Sequence, residues 1–63
     1  MSTTEINQAI FAINQDGQKS FIEKLKALAP LLVSAGFLSE DTHDLAEINA
    51  ASWDHFKMMH IHA

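Results

Sequence analysis

The sequence predicts an all-α fold, either a small three-helix bundle or a helical hairpin with a C-terminal helix that docks on it or on a partner. Three observations favour this fold class. Apolar residues recur at helical spacing in three segments, candidate caps separate those segments, and no stretch alternates as a half-buried strand does. We expect helices at about 3–16, 20–35 and 40–60, within a single helical domain of residues 1–63.

The first predicted helix begins beside Ser2 and carries a thin apolar face. Ser2 and Glu5 have the spacing of a capping box, in which the two side chains satisfy free backbone amides of the first turn. The apolar face consists of Ile6, Ala9, Ile10 and Ile13. Phe11 lies about 140° from the first residue of that face, so we expect it outside the core. Asp16 and Gly17 should end the helix, with Gly17 in the left-handed conformation.

The second predicted helix should lie at the centre of the domain. Its apolar arc covers about half the circumference, whereas packing on one neighbour needs only about 100°. We therefore expect two neighbours, or one neighbour and a second copy of the chain. The central wedge consists of Phe21, Leu25, Leu28, Leu32 and Ala35. Ser20 and Glu23 form another capping box, and Gly36 suits a Schellman closure. Pro30 predicts a kink in one helix or, alternatively, a helix end near Ala29.

The third predicted helix begins at Ser39 or Asp41, where a serine cap and acidic residues suit the positive end of a helix. A core stripe follows at spacings of three and four residues. It consists of Leu45, Ile48, Ser52, Phe56 and Met59. Its weakest part is 49–52, and we expect 60–63 to fray. Tight turns should join the three helices.

The charge and hydropathy of the chain argue against two classes of partner. The net charge is −4, and the four basic residues are lysines that do not form the cluster typical of nucleic-acid-binding proteins. The apolar run at 27–38 is shorter than the roughly 20 residues that span a membrane, and the N-terminal residues do not resemble a signal peptide. We therefore expect a cytoplasmic protein with no nucleic-acid and no membrane partner.

The short length favours a protein partner or self-association. A chain of this size hides only about 60% of the surface that its unfolded form exposes, and without cysteine it has no disulfide to stabilise it. Aromatic residues and methionine are enriched at the centres of protein interfaces. The candidate partner-binding residues are Phe11, Trp53, Phe56, Met58 and Met59. For Phe56 and Met59 the alternative is a place in the core stripe.

The leading functional hypothesis is a small cytosolic helical binding module, an adaptor, inhibitor or regulator, that docks an apolar helical face on a protein partner or on itself. The alternative is a ribosomally made peptide precursor. In that interpretation a modifying enzyme holds the helical region and modifies the C-terminal segment 52–63, which differs in composition from the acidic front of the chain.

Metal or haem binding at the C-terminus is a second alternative. The candidate ligands are His55, His60 and His62, two of which share a helical stripe with Met59. Because a zinc site normally takes three or four well-placed ligands and the chain has no cysteine, we expect surface histidines with no metal and no cofactor.

Enzymatic activity is not expected. Four carboxylates cluster near the start of the third helix. They are Glu40, Asp41, Asp44 and Glu47. Negative side chains stabilise the positive end of a helix, so this position explains the cluster without a catalytic role. A chain of 63 residues also leaves little room for a shielded pocket and the residues that orient a catalytic group.

Overall fold

A computed structural model describes residues 2–41 and 44–61, and this part of the chain folds into three α-helices. Helix α1 spans Thr3–Gln15, α2 spans Phe21–Ser34 and α3 spans Leu45–Ile61. The predicted three-helix bundle is therefore confirmed. None of these helices, in the ranges described, has the length and apolar character that crossing a lipid bilayer demands.

Helix α2 lies at the centre of the bundle, and both other helices pack on it. Within the described ranges, no Cα atom of α1 lies within 8 Å of one of α3. Packed helices have axes about 8–10 Å apart, so α1 and α3 do not pack closely on each other, and both pack mainly on α2. The predicted two neighbours of the second helix are thus confirmed, and the outer helices leave a gap between them.

Both predicted capping boxes form. The Ser2 hydroxyl oxygen accepts a hydrogen bond from the Glu5 amide at 3.2 Å, and the Glu5 carboxylate accepts one from the Ser2 amide at 3.2 Å. Ser20 and Glu23 repeat the arrangement at 3.2 and 3.1 Å. Hydrogen bonds with the serine backbone lower the pKa of both glutamates, because they favour the charged carboxylate.

Helix α2 continues through Pro30, so the alternative of a helix end before this proline is wrong. Its C-terminus closes as predicted. Gly36 has a φ of +85°, its amide donates to the Val33 carbonyl at 3.1 Å, and the Phe37 amide donates to the Leu32 carbonyl at 2.9 Å. These two bonds are the Schellman pair, and they turn Phe37 back onto the core.

The end of α1 differs from the prediction, because Gly17 does not adopt a left-handed conformation. Asp16 has an extended backbone instead, and its carboxylate accepts a hydrogen bond from the Gln18 amide at 2.8 Å. Such an Asx turn reverses the chain without a positive φ. The Lys24 ammonium donates to the Asn14 carbonyl oxygen at 3.2 Å, which joins the start of α2 to the end of the antiparallel α1.

The predicted start of the third helix at Ser39 or Asp41 is wrong. The Ser39 hydroxyl accepts a hydrogen bond from the Asp41 amide at 3.3 Å within a turn, and α3 begins only at Leu45. Asp44 precedes it, and its carboxylate accepts a hydrogen bond from the Ala46 amide at 2.9 Å. Ser39 and the acidic residues after it therefore form a local turn. Asp44, which lies closer to the apolar stripe, caps α3 instead.

The connection between α2 and α3, residues 35–44, is also longer than the predicted tight turn. Asn49 near the start of α3 lines the same surface cleft as Phe21 at the start of α2, and Met59 near the end of α3 lines the same depression as Ser34 at the end of α2. Helices α2 and α3 thus run in the same direction. The chain must return along the bundle between them, which a tight turn does not permit.

The buried core lies along the three faces that meet at α2. It consists of Ile6, Ile10, Leu25, Leu28, Leu32, Ile48 and Ala51. The predicted central wedge is correct for its three leucines and wrong for Phe21, which is exposed. The predicted α3 stripe is partly wrong, because Leu45 and Phe56 are exposed while Ala51 and His55 are buried. The face of α3 that meets the core therefore includes Ile48, Ala51 and His55, and Phe56 lies at its flank.

Candidate protein-binding groove

A groove runs between α1 and α3, in the gap that their separation leaves. It consists of two adjoining clefts of about 340 and 400 Å³, both bordered by Phe11, Asn14 and Phe56. Leu25 and Leu28 of α2 reach the first cleft, and Ile10 of α1 reaches the second. We call the two clefts together the α1–α3 groove.

Four aromatic side chains line this groove and remain largely exposed. Phe11 and Phe21 are each 63% exposed, Trp53 is 56% exposed and Phe56 is 57% exposed. The rings of Trp53 and Phe56 meet edge to face with centroids 5.7 Å apart, and His60 stacks on Phe56 at 6.0 Å. Residues three or four apart on a helix are neighbours, so these rings pack against one another along one side of α3.

The border of the groove is polar but almost uncharged. Side-chain amides supply most of it, namely Asn7, Gln8, Asn14, Gln15 and Asn49. Lys24 is the one charged residue among the described residues that line either cleft, and its ammonium already contacts the Asn14 carbonyl oxygen. The groove therefore presents apolar rings and neutral hydrogen-bonding groups on a chain whose net charge is −4.

A buried histidine links the two helices that flank the groove. The Nε2 atom of His55 lies 2.9 Å from the Asn7 side-chain oxygen, and its ring meets Phe37 edge to face with centroids 5.5 Å apart. Burial lowers the pKa of His55, because the charged imidazolium loses hydration. A neutral ring that donates from Nε2 to Asn7 fits this site. The expectation that His55 is a surface residue is wrong.

Metal binding stays a prediction that the described residues do not favour. No three histidine, cysteine, aspartate or glutamate side chains come together at a metal-binding spacing in 2–41 and 44–61. His55 is committed to Asn7, His60 stacks on Phe56, and His62 lies outside the described residues. Fraying is predicted for 60–63. His60 and Ile61 are helical, and the other two residues of this segment lie outside the described residues.

The candidate partner-binding residues divide into two groups. Phe11, Trp53, Phe56 and the half-buried Met59 line the α1–α3 groove. Met58 is exposed beside a separate small depression that Ala35 and Phe37 also line. Sequence reasoning missed Phe21, which it placed in the core. Its position could have indicated this exposure. Phe21 is the first residue of α2, and the neighbouring helix α1 ends at Gln15, so less of α1 is available to cover it.

Comparison of the chain with models of protein families, with curated proteins and with solved structures found no match. The groove itself is therefore the starting point for a functional argument.

Proposed function

We propose that this protein is a small helical binding module that accepts an apolar helical segment of a protein in the α1–α3 groove. The observation that carries the proposal is the collection of Phe11, Phe21, Trp53 and Phe56, each more than half exposed, in one groove. Scattered exposed apolar residues need no explanation, but contiguous ones mark interaction sites. A helix in the gap between α1 and α3 contacts both and completes a fourth position in the bundle.

The apolar area in the groove is large enough to drive association. An aromatic side chain buries about 150–250 Å² when fully covered, so four side chains that are more than half exposed still offer roughly 400–600 Å². At about 25 cal/mol per Å² this area corresponds to a gross gain on the order of 10 kcal/mol. Association costs about 4–15 kcal/mol in lost freedom, so burial of these rings is of the size needed to offset that cost.

The chemistry of the lining supports binding rather than catalysis. Aromatic rings and amides surround the groove. The titratable groups among the described residues that line it are Lys24, whose ammonium contacts the Asn14 carbonyl oxygen, and the buried His55, which is hydrogen-bonded to Asn7. Acid–base catalysis needs titratable groups that converge on a reacting atom. Anchoring a helix needs apolar pockets with a polar border, which is what these residues supply.

Site-specific photocrosslinking tests this proposal. A photoreactive side chain at Gln15, on the border of the groove, should crosslink the full-length protein to a protein partner or to a second copy in its native cells. The matched control places the same group at Lys26, an exposed residue that lines neither cleft. Phe56→Ser should abolish the Gln15 crosslink. A crosslink that forms equally from position 26, or that survives Phe56→Ser, would contradict the proposal.

The precursor hypothesis leads to a different measurement. Residues 52–61 belong to α3, and Met59 packs beside α1 and α2. A modifying enzyme would therefore have to unwind the end of this helix to reach its backbone. Mass spectrometry of the protein from its native cells decides between a modified or cleaved chain and the full-length, unmodified chain that a binding module requires.

A further inference from the structure

We infer that the α1–α3 groove is occupied by a second copy of this chain, so that the protein forms a two-fold symmetric dimer. This inference rests on the proposed binding function and names the partner. Three properties of the groove carry it: the area that it offers, the lack of aspartate and glutamate among the described residues that line it, and the exposed rings that its two clefts share.

The exposed area matches what a small dimer needs. A stable interface buries about 800 Å² on each partner, and the surface area of the whole chain is 4445 Å². The four groove aromatics provide roughly half of the required area or more. The amides around them and Met59 lie on the same face and can supply the rest. One groove per chain is thus sufficient, and no second exposed apolar surface is required.

The border of the groove suits an identical partner. Each side-chain amide both donates and accepts hydrogen bonds, so the same amides on two copies can pair with one another across a two-fold axis. Like charges would instead repel when two identical surfaces meet. The described residues that line the groove include no aspartate or glutamate, although the chain carries eight acidic residues. Lys24 is the one charged residue among the described lining residues, so acidic side chains of the two copies do not face one another across the clefts.

The rings shared by the two clefts suit a two-fold contact. Phe11 and Phe56 line both clefts, and each is more than half exposed. In an isologous interface the same patch acts on both subunits, so whatever one copy inserts it must also receive. In such a dimer the exposed rings of Phe11, Trp53 and Phe56 of one copy pack against the same rings of the other copy.

Sedimentation equilibrium of the purified full-length chain tests this inference. Between about 1 µM and 1 mM the wild-type mass should rise from 7.0 kDa toward twice that value. The emission of Trp53 should shift to shorter wavelength over the same range. Phe56→Ser should raise the dissociation constant by about 30-fold or more, as expected for loss of an aromatic anchor at the centre of an interface. Its far-UV circular dichroism should stay helical.

Ile22→Ser is the matched control, because Ile22 is an exposed apolar residue that lines neither cleft. It should leave the dissociation constant within about twofold. A wild-type chain that stays at 7.0 kDa at the highest concentration would overturn the dimer. So would a dimer that Phe56→Ser leaves intact and Ile22→Ser weakens. If the chain is monomeric while the Gln15 crosslink to another protein still depends on Phe56, the second copy is wrong and the binding function stands.

Discussion

His55 makes the stability of the bundle depend on pH in a defined direction. Burial lowers its pKa in the folded state, whereas in the unfolded state it has the ordinary histidine value of about 6.5. Between these two values the unfolded chain binds more protons than the folded chain, so the free energy of unfolding rises with pH. The contribution of His55 is complete above about pH 6.5 and is lost as the pH falls toward the lowered folded value.

Urea unfolding of wild type and His55→Gln at about pH 7.5, 6.5 and 5.5 measures this effect. Glutamine can still donate to Asn7 but does not titrate, so the variant should lose less stability than wild type as the pH falls. The capping glutamates Glu5 and Glu23 act in a lower pH window, because hydrogen bonds with the serine backbone lower their folded pKa from the ordinary glutamate value. Equal losses in wild type and variant between pH 7.5 and 5.5 would contradict the assignment to His55.

Leu28 is expected to be the most sensitive apolar position, since it is almost fully buried on the central helix. Leu28→Ala should lower the free energy of unfolding by about 2–5 kcal/mol. A chain of this size has a total stability of only about 3–9 kcal/mol, so the variant should lose a large share of the stability of the wild type. Circular dichroism during urea titration, at matched protein concentrations, gives the value. Ile22→Ala on the exposed face should change it by no more than about 0.5 kcal/mol.

The two glycines make a matched pair at the ends of the first two helices. Gly36 has a φ of +85°, a conformation that strains any residue with a side chain, whereas Gly17 is not left-handed and has open space around it. Gly36→Ala should therefore destabilise the protein by about 1–2 kcal/mol. Gly17→Ala should be neutral or stabilising by up to about 1 kcal/mol, because it restricts the unfolded chain. Thermal unfolding of both variants measures the contrast, and equal losses would contradict it.

Local chemistry explains which element boundaries could be predicted from the sequence. Ser20 and Glu23 define a helix start through contacts three residues apart, and Gly36 with Phe37 defines a helix end in the same way. The start of α3 could not be predicted so well, because Ser39 and Asp44 are both competent caps. The choice between them depends on the return path between two helices that run in the same direction, which is a property of the tertiary fold.

The candidate site was predictable where a residue conflicted with the pattern of its own helix. Phe11 lies off the apolar face of α1, and that position alone indicated a role outside the core. The predicted core stripe contains Phe56 and not His55, because hydropathy favours burial of the phenylalanine. In the structure the histidine is buried and the phenylalanine is exposed. The buried histidine becomes acceptable only because Asn7 satisfies its Nε2 atom from another helix. Such a partner, 48 positions away in the chain, is not visible in the periodicity of α3.

At the scale of the whole molecule, the shared position of α2 predicts cooperative unfolding. Helices α1 and α3 both pack on α2, and the buried residues of all three form a single cluster. The side-chain bond between His55 and Asn7 further joins the outer helices. Loss of any one helix therefore exposes core residues of the others, and an isolated helical hairpin would retain few long-range contacts to stabilise it.

This cooperativity can be measured because Trp53, the one tryptophan of the chain, lies on α3. Fluorescence reports on α3, whereas far-UV circular dichroism reports on all three helices. In urea, at a single low protein concentration, the two signals should give the same midpoint and the same slope. If α3 were only docked on an independently stable hairpin of α1 and α2, the fluorescence transition would come first and residual helicity would persist beyond it. Separate midpoints that remain separate after dilution would exclude a single cooperative bundle, since dilution removes any contribution from association.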